Sequence, residues 1–410
     1  MRKLIWTLAV IAPMLGSAAR AEDTIKLGYI DPLSGGGASV GEGGLKTFQY
    51  LAEEINAKGG ILGRKVEIVP FDNKTNPQET LVQAQKAIDA GVRYITQGNG
   101  SSVGLALEDF VTKYNTRNPG KEVLYFNYAA VDPAMTNEKC SYWHFRWDAS
   151  SDIKMEALTS YIKNVASIKK VYLINQDYSF GQSVRSDARK MLTAKRPDIQ
   201  IVGDELHPLL KVTDFSPYIA KIKASGADSV ITGNWGQDIA LLLKAAADAG
   251  LKVNWYTYYA GGAGGPTAIK QTGLDHQVFQ LTEGFANSGH QAAMDYEKAF
   301  RAKVNMSLWY PRAVNEMRMF KAAAEKANSI EPVKVAAALE DLKLEVLDGG
   351  TGFMRKDDHQ FFQPIYISSF GKLAANEPFD EENTGWGWHL VTKVDTPQAM
   401  VSTTCKMTRP

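Results

Sequence analysis

The chain, 410 residues long, predicts an α/β protein of two doubly wound lobes. Short apolar runs alternate with stretches of helical periodicity, which is the signature of right-handed βαβ units on a parallel sheet. The cadence runs once to about residue 147 and restarts after Asp148. The length also suffices for two cores of ordinary size.

Ile25 to Ile30 reads as a buried strand, and Leu45 to Ala57 places apolar residues at helical spacing. Val66 to Pro70 is the second strand. Asn76-Pro77 opens a helix to Ala90, with proline at the first-turn position it favours. Arg93 to Thr96 and Val123 to Phe126 are strands, with a helix from Val103 to Tyr114 between them. The second series expects helices at Met155–Val165, Gly181–Ala194, Phe215–Ala224 and Asp238–Ala249. Its strands are expected at Lys170–Asn175, Ile199–Glu205, Ser229–Thr232 and Lys252–Tyr258. Three helices follow, Gln291–Val304, Pro311–Asn328 and Pro332–Leu342. Phe361–Ser368 and Trp388–Val394 then read as a terminal hairpin.

The amino terminus carries Arg2 and Lys3, an apolar run from Leu4 to Leu15, and small residues ending in Ala19-x-Ala21. That pattern is a secretory signal peptide over residues 1–21, with a retained anchor as the alternative. The run is shorter than the roughly 20 residues a bilayer span needs. The formal charge is +1 and becomes −2 when Arg2, Lys3 and Arg20 leave. A near-neutral chain is a poor match for nucleic acid or an anionic membrane as the main partner. Cys140 and Cys405 are the two cysteines. In an oxidising compartment one disulfide between them is expected, two separate buried thiols being the alternative.

In an open parallel sheet, ligands bind outside the carboxyl ends of the strands. In the first lobe those places are Asp31 to Gly41, Gln97 to Gly104 and Asn127 to Asp132. In the second they are Gln176 to Gly181, Gly233 to Gly236 and Tyr258 to Gly262. Gly98-Asn-Gly-Ser-Ser102 before a helix offers backbone N–H groups, a positive dipole end and serine donors to an anion. A structural reading makes Ser102 only a helix cap. A dinucleotide fingerprint fails, because Val103 stands where its third glycine belongs, and no phosphate loop is present. His144, His207, His276, His290, His359 and His389 form no metal-ligand spacing, and no nucleophile elbow occurs. Asp357-Asp358 reads as a solvated or capping pair. No catalytic residue, metal or cofactor is therefore expected. Tyr128, Phe180, Trp235, Tyr258 and Tyr259 sit at strand ends, either as core rings or as the wall of an apolar ligand.

Several stretches resemble one family. These are Tyr29-Ile-Asp-Pro-Leu-Ser-Gly35, Glu53-Glu-Ile-Asn-Ala-Lys-Gly-Gly-Ile-Leu-Gly63, Val66-Glu-Ile-Val-Pro-Phe-Asp72, Phe145-Arg146, Asp177-Tyr-Ser-Phe-Gly181 and Gly349-Gly-Thr-Gly-Phe353. They look like the type I periplasmic binding proteins, with the leucine/isoleucine/valine-binding proteins of ABC importers as the nearest branch. The resemblance implies two Rossmann-like lobes joined by three crossings, placed near Trp147, Thr282 and Arg355. One lobe is then 22–147 plus 283–355, and the other 148–282 plus 356–410 with the tail. It also implies a monomeric periplasmic chain, exported by the Sec route, that closes on a small-molecule carboxylate and docks onto a membrane permease.

The family holds a carboxylate where this chain has Ser101-Ser102 and Ala129-Ala130-Val131, Val131 replacing a threonine. Its acidic ammonium partner falls in Ala260-Gly-Gly-Ala-Gly-Gly265, a loop including Gly262 and no acid. Phe180-Gly181 replaces a Tyr-Gly pair, Gly233-Asn-Trp235 a turn bearing tyrosine, and Val40 a frequent aromatic. A buried ammonium without a carboxylate partner costs several kcal/mol. The expected ligand is therefore an aromatic or other apolar acid resembling benzoate or a hydroxycinnamate, ahead of leucine, isoleucine or valine. Asp177 or Asp148 as an ammonium partner keeps the amino acid open. A sensor subunit signalling to a kinase or receptor is the rival reading, and a secreted hydrolase the third.

Overall fold

The computed structural model describes residues 24–262 and 264–410; the expected signal peptide lies outside them. The first lobe is built from β1 (Ile25–Asp31), α1 (Ala38–Ala57), β2 (Val66–Asp72), α2 (Pro77–Asp89), β3 (Tyr94–Gln97), α3 (Ser101–Arg117), β4 (Leu124–Asn127) and β5 (His144–Arg146). These five strands form a parallel sheet in the order β2-β1-β3-β4-β5. The second lobe begins with α4 (Ser151–Ile162), β6 (Lys170–Gln176), α5 (Ser179–Lys195), β7 (Gln200–His207) and α6 (Ser216–Ser225). It continues with β8 (Ser229–Thr232), α7 (Gln237–Asp248), β9 (Asn254–Thr257), α8 (Gly265–Thr272) and β10 (Val278–Thr282). Its parallel strands repeat the first order, as β7-β6-β8-β9-β10.

The chain then returns to the first lobe with α9 (Gln291–Val304), α10 (Pro311–Ala327) and α11 (Pro332–Leu339). A small sheet follows, of β11 (Lys343–Glu345), β12 (Thr351–Met354) and β13 (Phe361–Phe362). β14 (Ile365–Lys372) and β15 (Trp386–Val394) add an antiparallel edge to the second sheet, and α12 (Thr396–Ala399) precedes the tail. The single strand expected over Phe361–Ser368 is divided at Pro364, which has no N–H for a ladder. β13 pairs with β12, and β14 joins β10.

Each sheet is buried on both faces, as a doubly wound fold requires. In the first lobe α1, α10 and α11 cover one face and α2 with α3 the other, around separate apolar clusters. In the second lobe α4 and α5 cover one face, and α6, α7 and α8 the other. Local signals account for several boundaries. Asn76 accepts a hydrogen bond from the Glu79 N–H and Pro77 occupies the first turn, so α2 starts where expected.

α1 departs from expectation. It starts at Ala38 rather than Leu45, carrying Gly41, Gly43 and Gly44 inside the helix. A Cβ at Gly41 would lie 1.7 Å from the Pro32 carbonyl oxygen, so glycine here serves close packing and not a loop. β5, α8, β10 and the β11–β12 pair were not foreseen. Each is short, and polar or glycine-rich residues interrupt its pattern.

The chain passes between sheets at Trp147–Ser150 and again at Glu283–His290. The Arg146 N–H still donates to the His359 carbonyl and Arg146 bridges Gln360, so the third passage lies beyond Gln360 rather than at Arg355. The tail, expected with the second lobe, makes its hydrogen bonds to the first. The Thr403 hydroxyl donates to the Thr136 carbonyl, the Thr404 N–H to Asn137, and Arg409 to Glu340. Cys140 and Cys405 are joined in a disulfide, with their Cα atoms 5.7 Å apart.

Candidate ligand-binding cleft

Both sheets reverse direction between their first and third strands, the switch point where doubly wound folds bind ligands. The chain ends of β1 and β3 in one lobe face those of β6 and β8 in the other across a cavity. With its mouth, that cavity has ≈ 890 Å³ free of atoms. The lobes touch around it: Val40 and Val131 share an apolar cluster with Phe180 and Trp235. Gly262 approaches Trp309 so closely that a Cβ there would lie 2.7 Å from the indole.

Seven of the nine expected residues line the cavity: Val40, Ser101, Ala129, Val131, Phe180, Trp235 and Gly262. Ser102 and Ala130 do not. Successive helix residues turn by about 100°, so Ser101 and Ser102 cannot share one direction. Ala130 is buried in the cluster behind β4. Ser102 is also not a cap, since α3 begins at Ser101 after Gly100. Of the five expected wall rings, Tyr128 is instead a core residue whose hydroxyl meets Asp31 at 2.5 Å. Phe180, Trp235, Tyr258 and Tyr259 line the cavity, joined by five unforeseen rings, Tyr178, Phe285, Trp309, Tyr310 and Trp388.

The anion cradle is narrower than the sequence implied. Gly98 and Asn99 donate their N–H groups to the buried Asp31, at 3.2 and 2.9 Å. Burial raises Asp31 to about 7, against the pull of Tyr128, Asn99 and Gly98. Ala129 and Ala130 donate theirs to the Asn127 side chain. The Val131 and Asp132 N–H groups donate to Ser101 Oγ, at 3.1 and 3.2 Å. The remaining donors are the first turn of α3, whose N–H groups have no intrahelical acceptor, and the Ser101 hydroxyl. By accepting twice, Ser101 Oγ keeps its own proton for a ligand.

The ammonium partners kept open by the sequence lie elsewhere. Asp177 is exposed and accepts from Gln182. Asp148 is fully buried in a knot of four charges beside the cavity. Lys154 Nζ lies 2.7 Å from Asp148 and 3.0 Å from Glu283, while Arg312 Nε lies 2.9 Å from Asp148 and its Nη1 3.5 Å from Glu283. The Tyr259 hydroxyl donates to Asp148 at 2.9 Å. Burial pushes Asp148 up, but Arg312 and Lys154 carry it below its ordinary value. Burial, with Asp148 adjacent, raises Glu283 to about 7. Lys154 belongs to α4 and Arg312 to α10, so the knot pins both lobes at two of the passages between them. No local pattern marks these residues, and only the run of passages brings them together.

A second charged group also borders the cavity. Arg301 of α9 ion-pairs with Glu297 and with Glu381, the latter at 3.1 Å, and the Ser307 hydroxyl donates to Glu381. Burial raises Glu297, and raises Glu381 to about 8.

Comparison with known proteins agrees with this architecture. Residues 24–372 match the family model described as periplasmic binding protein. A relative in Brucella abortus (strain 2308), the Leu/Ile/Val-binding protein homolog 4, is 32% identical over 369 residues, covering 88% of this chain and 87% of that protein. The closed conformation of a leucine-, isoleucine-, valine-, threonine-, and alanine-binding protein from Brucella ovis superposes with a TM-score of 0.84. It is 30% identical, over 95% of this chain and 100% of that one. A solute-binding protein of an ABC transporter from R. palustris, solved with benzoate, shares the fold at a TM-score of 0.79 and 16% identity, over 93% and 99% of the two chains. The chain thus belongs to the periplasmic binding proteins, on the leucine/isoleucine/valine-binding branch.

Proposed function

We propose that this protein captures an apolar monocarboxylate, an aromatic acid ahead of leucine, isoleucine or valine, and delivers it to an inner-membrane permease. Export by the Sec route and action as a monomer belong to the same reading. Binding needs no covalent chemistry: the ligand favours the closed state by its higher affinity for it, and the lobes close at the hinge. One observation carries the choice of ligand. The cavity pairs the free first turn of α3 and Ser101 with a wall of rings, while its carboxylates are already engaged by Arg301, Lys154 or Arg312. An anion is accommodated there, and among the described residues an α-ammonium finds no free carboxylate partner. The names of the Brucella relatives favour the amino acid, and the benzoate bound in the R. palustris protein shows what this fold can hold.

Thermal-shift screening followed by calorimetry, with benzoate, 4-hydroxybenzoate, leucine and valine, tests the reading. Stabilisation by the aromatic acids is expected. Stabilisation by leucine or valine with none from an aromatic acid would overturn the ligand. Turnover of an ester or amide would favour the hydrolase instead.

A further inference from the structure

The cavity wall carries the side-chain amide of a buried residue to which no described residue offers a hydrogen-bond partner. Gln280 lies on β10, is 4% exposed and lines the cavity. β10 is held on both sides, Gln280 standing opposite Thr257 of β9 and Ser368 of β14, so its side chain rises from a rigid strand. Its amide packs over Gly261, where a Cβ would come within 2.3 Å of Gln280 Oε1. Among the described residues no group hydrogen-bonds to that amide, which is left to bond with whatever fills the cavity.

We propose that Gln280 reads a neutral oxygen, above all a hydroxyl, on the end of the ligand remote from its carboxylate. The α3 turn that receives the carboxylate belongs to the first lobe and Gln280 to the second, so a bound acid reaches from one to the other. A carboxamide both donates and accepts, and a hydroxyl answers both roles. An apolar end leaves the amide unpaired. A second carboxylate is disfavoured in a cavity whose wall already carries Glu297 and Glu381, the two sharing Arg301. The substrate class is then a hydroxylated aromatic monocarboxylate. This rests on the reading of the cleft as a site for apolar acids.

Calorimetry on the full mature chain tests the assignment with benzoate, 4-hydroxybenzoate and terephthalate. The wild-type protein is expected to bind 4-hydroxybenzoate about tenfold or more tightly than benzoate, and terephthalate least. Gln280→Leu is expected to abolish that preference while its benzoate affinity stays within about threefold. Gln280→Met serves if the leucine variant loses its fold. An unchanged preference in the variant, or tighter wild-type binding of benzoate, overturns the role of Gln280. If neither aromatic acid binds and valine does, the aromatic reading fails by itself. Threonine against valine, an isosteric pair differing by a hydroxyl, then decides on Gln280. A threonine preference erased by the substitution upholds the role, and equal loss of both ligands removes it.

Discussion

The starts of α3, after β3, and of α5, after β6, border the cleft from opposite lobes, yet they present opposite chemistry. α3 opens with Gly100 and Ser101, leaving its first N–H groups and one hydroxyl toward the cavity. α5 opens after Tyr178 with Ser179 and Phe180, and the rings of Tyr178 and Phe180 line the wall. In its packing α5 instead repeats α1, its counterpart in the first lobe: a Cβ at Gly181 would lie 1.8 Å from the Gln176 carbonyl, as one at Gly41 meets the Pro32 carbonyl. The repeated topology fixes where a ligand sits. The few residues after each strand decide that one lobe grips charge and the other covers apolar surface.

The sharpest way to break this division of labour is to unfasten the lobes from each other. Arg312→Met leaves Asp148 and Glu283 with only Lys154, and is expected to cost about 3–5 kcal/mol of stability in denaturant unfolding of the ligand-free protein. A loss below 1 kcal/mol would show the knot to be dispensable. Next in size is the wall. Trp235→Ala removes a ring that is 6% exposed and is expected to weaken binding of an aromatic acid by about 2–3 kcal/mol, read by calorimetry.

The polar grip should respond less, and selectively. Ser101→Ala is expected to weaken the acid by about 1–2 kcal/mol, with little effect on an uncharged analogue such as benzamide, whereas Ser102→Ala stays within about twofold. Equal losses at the two serines would contradict the geometry of the α3 turn.

The smallest expected effect lies in pH dependence. Glu316 is fully buried, and burial raises it to about 8, with Thr96 drawing it down. A carboxyl raised in the folded state contributes stability at low pH that is lost as pH climbs through its folded value. Glu316→Gln should therefore match the parent near pH 4 and exceed its unfolding midpoint by a gap that widens up to about pH 8 and then levels off. A constant gap over that range would assign the titration to another group, such as Asp31 at about 7.

Much of the fold was legible because its signals are local. β8 spans the expected residues, α9 runs from Gln291 to Val304 as expected, and Pro77 marks the start of α2. The cavity lining was legible where a residue lies within a few positions of a strand end, as Ser101, Phe180 and Trp235 do. It was less so one residue further on. Whether Ser101 or Ser102 reaches the cavity depends on where α3 begins, and whether the Gly98 N–H is free depends on Asp31, 67 positions away.

By itself the sequence determined the alternation of strand and helix, the doubling of the lobes and the small, polar turns at the strand ends. These follow from period, proline and glycine, all of which act within a few residues. Only the tertiary structure decided which N–H groups stay free, that Asp148, Lys154, Glu283 and Arg312 neutralise one another, and that Gln280 reaches the cavity unpaired. Desolvation and pairing depend on neighbours brought together by the passages between lobes, and spacing along the chain carries no record of them.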